Sequence, residues 1–554
     1  LNLDNSKREM DMIDQTQKLV DEQSWGVGFS LPLSNEKPYL QHETDSPLSL
    51  SWIRSHLSTK SPYPHEDKHV GPVGDIPEGY ELVQLHLICR HGTRYPSSSK
   101  AITFHKLTEK LRQVAVPGFE WLERWPSERL YPISKGNLLS AKGDSDLYRI
   151  GRRFGIRYQD FLDRYPYDAN TYELQSSSKS RCSQSAYAFS IGFLEGRRAS
   201  ETNVEPEIPP VQPVNIFTLP IGLDKELAVK YACPRWLESV KENPKVEREQ
   251  LLYKDKFLPE IAERLSIMFS AKDGSPQVNI TTKDVETIFG ICGFEVAFHD
   301  NDQTWCQLLS QSAPETEKSN FLKLEISNDL NDYYSFGPGV PFNKHLGCEL
   351  GTSLSNAIEG ALTLEPEHPS SNGKSGDDDD DSRHFRGLFK FGHAETILFL
   401  SSFLGLYDQK GIPLRGDMTP EQYAQREFRA SEISPFAANI AFEVFRPKPR
   451  NVHRKKRIEY EEKEQYSQFG HVPEGLVRLL VNEEPMIIPG CGSDYFCEWV
   501  TLKEIFRRAG AGCNFDGCCT SLGSTKVSSR VFMSDRQDEI CLSVEPLSKY
   551  NQVL

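Results

Sequence analysis

No stretch of this 554-residue chain comes near the ~18 consecutive apolar residues that a membrane-spanning helix requires. The longest candidate, Ile397 to Tyr407, is short and interrupted by serines. Basic charge is scarce as well: 64 Lys and Arg stand against 79 Asp and Glu, a formal charge of −15. Such a surface argues against nucleic acid and against anionic membranes as partners. No C-x-x-C is matched by a second C-x-x-C, so the spacing of a structural zinc site is missing. No internal repeat is visible.

What is present is a large, ordinary globular composition. Hydrophobic residues make up 38% and charged residues 26%, enough for one big domain with a second, smaller one. Twelve cysteines include a C-terminal cluster of Cys491, Cys497, Cys513, Cys518, Cys519 and Cys541. Disulfides formed in an oxidising compartment account for them better than a set of buried thiols. A secreted or lumenal location is therefore expected. The chain begins at Leu1 rather than methionine, as after removal of a leader. Asn279-Ile280-Thr281 is an N-glycosylation triplet. The aspartate run Asp377–Asp381 and the charged stretch Lys448–Glu464 read as solvated surface segments. Residues 1–69, polar and proline-containing, read as an irregular N-terminal arm.

Three places share one pattern: an extended run, a polar turn, then a helix. Val83, Leu85 and Leu87 alternate with Gln84 and His86, which predicts a half-buried strand ending at Arg90-His91-Gly92-Thr93-Arg94-Tyr95-Pro96. Tyr172–Ser178 leads to Arg181, after which Ala186, Phe189 and Phe193 recur at helical spacing. Phe385–Phe391 leads to Gly392-His393-Ala394-Glu395 and a helix through Ile397, Leu398, Leu400, Phe403 and Leu404. A further amphipathic helix runs through Leu147, Ile150, Phe154, Tyr158 and Phe161. Strand–turn–helix units predict an α/β sandwich. Ligands of such sheets bind beyond the carboxyl ends of the strands, where helix N-termini favour anions. All three polar clusters fall there.

Phosphoryl transfer without a metal has definite requirements. The phosphate oxygens need donors that stay charged, and arginine is planar, bidentate and always protonated. A neutral imidazole nitrogen can attack phosphorus and carry the phosphoryl group covalently. A carboxylic acid can protonate the leaving alkoxide at weakly acidic pH. Residues 90–94 supply Arg, His and Arg; residues 393–395 supply a second His and a Glu. Each alone has an ordinary explanation: Arg181 as a surface charge, His393 as a cap, Glu395 as a partner of the helix dipole. The set together is what points to chemistry.

The segment Arg90-His-Gly-Thr-Arg-Tyr-Pro96 resembles the RHGxRxP signature of the histidine acid phosphatases, the clan that includes fungal phytases. Gly392-His-Ala-Glu395 resembles the second signature. Most of the clan has His-Asp there; His-Ala-Glu is similar to the multiple inositol polyphosphate phosphatases. Leu57-Ser-Thr-Lys-Ser-Pro-Tyr63 is similar to a segment of that same branch, and Ser178–Ala186 to the segment carrying a third phosphate-binding arginine. Cys292 and Cys306 resemble a family disulfide pair. The resemblance covers about residues 50–520. It implies a three-layer α/β sandwich domain built from both chain ends, residues 70–215 and 385–525. A smaller, mainly α-helical domain, residues 216–384, is inserted between them, and 526–554 form a tail. It further implies His91 as nucleophile, Arg90, Arg94, Arg181 and His393 as phosphate holders, and Glu395 as proton donor, with no metal and no cofactor. Glu395 lies one residue beyond the usual aspartate, so its donation geometry differs from the clan's.

The branch implies a small-molecule phosphate ester as partner, inositol hexakisphosphate first. An acidic protein needs a local basic funnel for such a ligand. Lys100, in a Ser-Ser-Ser-Lys turn, is the first candidate contact; Lys106, Lys110 and Arg112 fit the solvated face of a helix equally well. Three alternatives stay open. One is a broad acid phosphatase or bisphosphoglycerate phosphatase, separated by comparing inositol and aryl substrates. The second is an inactive polyphosphate-binding homologue, against which the complete Arg90, His91, Arg181, His393 and Glu395 set speaks. The third is a phosphoglycerate mutase, which shares Arg-His-Gly but not the Tyr95-Pro96 ending.

Overall fold

A computed structural model describes residues 48–64, 76–114, 118–198, 214–269, 278–313, 318–363, 385–408, 412–448 and 474–519. The aspartate run Asp377–Asp381, the charged stretch after Lys448, and Cys541 lie outside the described residues.

The alternating apolar and polar residues after Tyr80 form the long central strand β1 (Tyr80–Arg90). On its one side β4 (Gly387–Gly392) pairs parallel, followed by β2 (Tyr172–Ser177) and β3 (Ile216–Leu219), also parallel. On its other side β5 (Asn439–Pro447) and β6 (Leu476–Val481) pair antiparallel, and β6 carries the short strands β7 (Glu484–Met486) and β8 (Phe496–Glu498). The order is β3-β2-β4-β1-β5-β6-β7, with β8 also on β6. Central position corrects one expectation: β1 is buried on both faces, not half-buried. Gln84 and His86 are each 1% exposed. The two bond to each other and to the backbone, His86 Nε2 lying 2.7 Å from Gln84 Oε1 and Gln84 Nε2 donating to the Phe385 carbonyl at 2.8 Å, while His86 Nδ1 is buried without a partner.

Helices cover both faces, giving the expected three layers. On one face α3 (Ala141–Arg157) and α4 (Ser180–Arg198) pack Leu147, Ile150, Phe154, Phe189 and Phe193 onto Leu85, Leu87, Phe389 and Phe391. On the other face α9 (Cys348–Thr363), α10 (Ala394–Phe403) and α11 (Trp499–Ala509) bring Leu354, Ile397, Phe399 and Phe506 onto Ile88, Ile440 and Phe442. The amphipathic run through Phe161 is not one helix: α3 ends at Arg157, and a second short helix holds Phe161.

A third core is mainly helical. It joins α5 (Pro244–Met268), α6 (Thr282–His299), α7 (Trp305–Gln311) and α8 (Ser319–Ser335). It also takes in α1 (Leu50–Arg54) and α2 (Ser98–Arg112), through Ile53, Phe104 and Leu111, and Leu57 from the loop after α1. Two expected boundaries change accordingly. Residues 48–64, read as part of an irregular arm, are folded, with Leu57 and Tyr63 buried. Ile216–Leu219, read as the start of the helical region, is the edge strand of the sheet. Apolar residues too sparse to show periodicity are buried by partners far along the chain.

Disulfides join Cys233–Cys519, Cys292–Cys306, Cys348–Cys513 and Cys491–Cys497, the second being the pair the resemblance implied. Cys89 and Cys182 are free and buried. Among the described residues His345, Cys348 and Cys513 cluster within 4.8 Å, but the two sulfurs are bonded to each other and are not available as thiolate ligands. Among the described residues no helix is long and apolar enough to cross a membrane.

Candidate active site

Parallel pairing brings the three polar clusters to one edge. Arg90 is in register with Gly392, and Ser176 with Phe391. The carboxyl ends of β1, β4 and β2 therefore lie side by side, with β4 in the middle. His91, His393 and Ser177–Arg181 each leave their strand at the same level. The rings of His91 and His393 are 5.8 Å apart, edge to face.

The turn after β1 is held from below by α3. Ser140 caps α3, accepting from Gly143 N–H at 3.1 Å, and donates its hydroxyl to the Thr93 carbonyl at 2.8 Å. Thr93 Oγ1 in turn donates to Asp146 at 3.1 Å. Gly92 lies directly on Gly143: a Cβ built on Gly92 would stand 2.7 Å from the Gly143 Cα. That contact explains the glycine between His91 and Thr93. The N–H of Gly92 donates to Ser185 Oγ on α4 at 3.1 Å.

His91 Nδ1 is 2.9 Å from the Gly92 carbonyl oxygen. A carbonyl only accepts, so Nδ1 carries the proton and Nε2 presents its lone pair. Burial, and then Arg90, Arg181, Arg94 and His393, hold the imidazole well below its ordinary pKa. At weakly acidic pH the His91 imidazole is thus neutral, with a defined tautomer.

Around it stand three arginines. Arg90 Nη1 donates to the carbonyls of Thr59 (2.7 Å) and Ser434 (2.5 Å), and its guanidinium lies 4.5 Å over Phe436. The segment before Tyr63 therefore orients a residue of the first signature. Arg94 Nη1 donates to the Tyr95 carbonyl at 2.9 Å. Arg181 Nη2 donates to His393 Nδ1 at 3.2 Å, which leaves the His393 proton on Nε2, 3.1 Å from Ser177 Oγ. Burial, and next their mutual repulsion, bring Arg90 to about 9 and Arg94 to about 10, still charged at any acidic pH. The Nε atoms of Arg90, Arg94 and Arg181 are buried without a hydrogen-bond partner. Each such donor costs about 1–3 kcal/mol, and an oxyanion accepting from them offsets that cost.

Glu395, in the first turn of α10, accepts from Lys230 Nζ at 2.5 Å. Burial pushes its carboxyl up, but Lys230 and His393 outweigh burial and hold it down at about 2. His393 itself is lowered to about 3, by burial first.

Lys100 belongs to the first turn of α2, not to a free turn; Ser97 caps that helix. A cation at the positive end of a helix is unfavourable, and desolvation by its surroundings, followed by Arg94, lowers the Lys100 pKa even though the residue keeps solvent exposure. Lys60 shares the same field: burial, and then Lys100, lower it as well. Lys110 and Arg112 do not join this group. Lys110 donates to Asp284 at 2.7 Å, and Arg112 to the Leu122 carbonyl at 3.0 Å. Sequence reasoning missed Lys60 and Lys230. Lys60 sits inside the quoted Leu57–Tyr63 segment, while nothing around Lys230 marks it. A separate groove of about 970 Å³, lined among others by Leu50, Arg54, Asn482 and Met486, contains none of the site residues.

A model of the histidine phosphatase superfamily (branch 2) matches residues 81–482. Multiple inositol polyphosphate phosphatase 1 of Gallus gallus is 24% identical over 492 residues, 84% of this chain and 93% of that protein. An acid phosphatase of Schizosaccharomyces pombe is 24% identical over 491 residues, 85% of this chain and 91% of that protein. Among solved structures, the phytase from D. castellii superimposes with a TM-score of 0.60 at 21% identity, over 84% of this chain and 87% of that one. The chain belongs to the histidine phosphatase superfamily, branch 2.

Proposed function

We propose that the chain hydrolyses inositol polyphosphates, inositol hexakisphosphate first among them, through a phosphohistidine on His91. The observation carrying this reading is the hydrogen bond from His91 Nδ1 to the Gly92 carbonyl. It leaves Nε2 without a proton beside three arginines whose Nε groups are unpaired. The phosphate oxygens are held by Arg90, Arg94, Arg181 and His393, which oppose the charge of the transition state. Nε2 forms a bond to phosphorus as the ester P–O bond breaks, and Glu395 protonates the departing oxygen. Water then releases phosphate from His91. Lys100 and Lys60 give a second basic patch suited to the other phosphates of one inositol ring. The relative named for inositol polyphosphates supports this substrate class, as does His-Ala-Glu in the second signature. The relative named acid phosphatase supports a simple phosphomonoester as the second reading. The disulfides among the described residues support secretion or a lumenal site. The exposed Asn279 at the start of α6 supports glycosylation there.

The test is phosphate release at about pH 5 with EDTA present, from inositol hexakisphosphate and from an aryl phosphate, with His91→Ala as control. Preferential release from the inositol substrate, abolished in the variant, is the expected result. Turnover of the aryl phosphate alone refutes the substrate class and leaves the chemistry. Activity retained by His91→Ala refutes the covalent mechanism.

A further inference from the structure

A proton donor must carry a proton, and Glu395 is held as a carboxylate. Its partner Lys230 lies on the short helix Val229–Ala232. That segment is tied to the first turn of α10, since Thr396 Oγ1 donates to the Leu227 carbonyl at 3.0 Å. Within the pair the lysine faces outward: its side chain is 26% exposed against 13% for Glu395. Its ammonium lies 5.2 Å from the centre of the Tyr231 ring, with Lys179 5.1 Å from the same ring. Lys230 is thus the more exposed member of the pair and shares the Tyr231 ring with a second cation. Lys230 and His393 act most strongly on Glu395; Arg90, Arg94 and the Cys182 thiol are also within electrostatic reach, and Arg181 faces both Lys230 and His393. Every ionised neighbour in this set is a cation, and Lys230 is the one hydrogen-bonded to the carboxylate.

We propose that Lys230 is a positioning residue that couples proton donation to recognition of a second phosphate. It holds Glu395 as a carboxylate until a phosphate next to the scissile one takes over the ammonium. Glu395 then binds a solvent proton, favoured also by the negative charge the substrate brings. As the His91 Nε2–P bond forms and the P–O ester bond breaks, the ester oxygen keeps the electron pair and takes that proton. Lys230 stays protonated throughout. A substrate with adjacent phosphates meets this condition and an isolated alkyl phosphate does not. The inference rests on the reading of the site as an inositol polyphosphate phosphatase, and adds a residue that selects for clustered phosphates through the acid.

The experiment compares wild type, Lys230→Met and Lys230→Arg on inositol hexakisphosphate, glycerol 2-phosphate and an aryl phosphate across the acidic and neutral range. Circular dichroism and melting temperature report the fold. In Lys230→Met the carboxyl pKa rises, so the basic limb of the glycerol 2-phosphate profile moves up by about one to three pH units. At the same time kcat/KM for the hexakisphosphate falls about tenfold or more, as for a lost charge-assisted hydrogen bond. Lys230→Arg, which keeps a cation, brings both back toward wild type. An unmoved basic limb in a folded Lys230→Met that still turns over the aryl phosphate overturns the proposal. So does a profile in Lys230→Arg as displaced as in Lys230→Met. If wild type fails on the hexakisphosphate, the substrate class is what falls, and the limb shift on glycerol 2-phosphate still decides the control of Glu395 by Lys230.

Discussion

Replacing Gly92 by alanine tests how the nucleophile is positioned, without touching a charge. The added methyl would stand 2.7 Å from the Gly143 Cα and the same from its carbonyl carbon. A relaxed contact between carbons is about 3.5–4.0 Å, so about 1 Å must be opened. The helix side resists: Ser140 caps α3 and binds the Thr93 carbonyl, Thr93 is bonded to Asp146, and Gly151 of α3 sits against the Phe189 backbone of α4. The turn carrying His91 therefore yields. A displacement of about 1 Å in a reacting group costs about 100-fold in rate, or about 2.7 kcal/mol of barrier. Overpacking adds about 1–3 kcal/mol of lost stability. The assay is kcat/KM on an aryl phosphate, whose leaving group needs no proton, beside a thermal melt. The expected result is a loss of about two orders of magnitude with a lowered melting temperature. Turnover within about threefold of wild type, a barrier change well under 1 kcal/mol, would refute the argument that this backbone contact sets the nucleophile.

Two further outcomes follow from the surroundings of the site. Lys100→Ala should raise KM for inositol hexakisphosphate several-fold, whereas Lys110→Ala, whose lysine is bound to Asp284, should not; equal effects would dissolve the distinction drawn between them. His86 is held at about 3, by burial and then by Lys390, so its folded pKa lies below its unfolded value of about 6.5. The unfolded chain binds the extra proton, and the histidine removes stability as pH falls. In denaturant titrations His86→Gln should therefore gain on wild type by up to about 1.4 kcal/mol per pH unit between pH 6 and 4; a difference independent of pH would show that His86 titrates normally in the fold.

The three strand–turn–helix units were legible because each extended run ends in a polar turn and each following helix repeats its apolar residues at helical spacing. Parallel strands place their carboxyl ends on one edge, so naming the units was nearly enough to assemble Arg90, His91, Arg181 and His393. Tyr158, where α3 breaks, was not legible, because Phe161 keeps the helical spacing beyond it. The Leu57–Tyr63 segment was recognisable as a motif but not as part of the core. Its few apolar residues are buried by partners far along the chain: Leu57 lies beside Gly293 of α6, and Tyr63 bonds Asn439 of β5 and Glu483.

Residue type and spacing alone determined the chemistry on offer: a candidate nucleophile, three permanent cations, a second histidine and a carboxyl group. A guanidinium or an imidazole brings its donors wherever the chain places it. Tertiary structure alone decided the states of those groups. The tautomer of His91 depends on one carbonyl, the charge of Glu395 on a lysine 165 residues before it, and the exclusion of Lys110 on an aspartate of another helix. Ionisation and tautomer are set by burial and by charges a few ångströms away, and those distances exist only once the chain has folded.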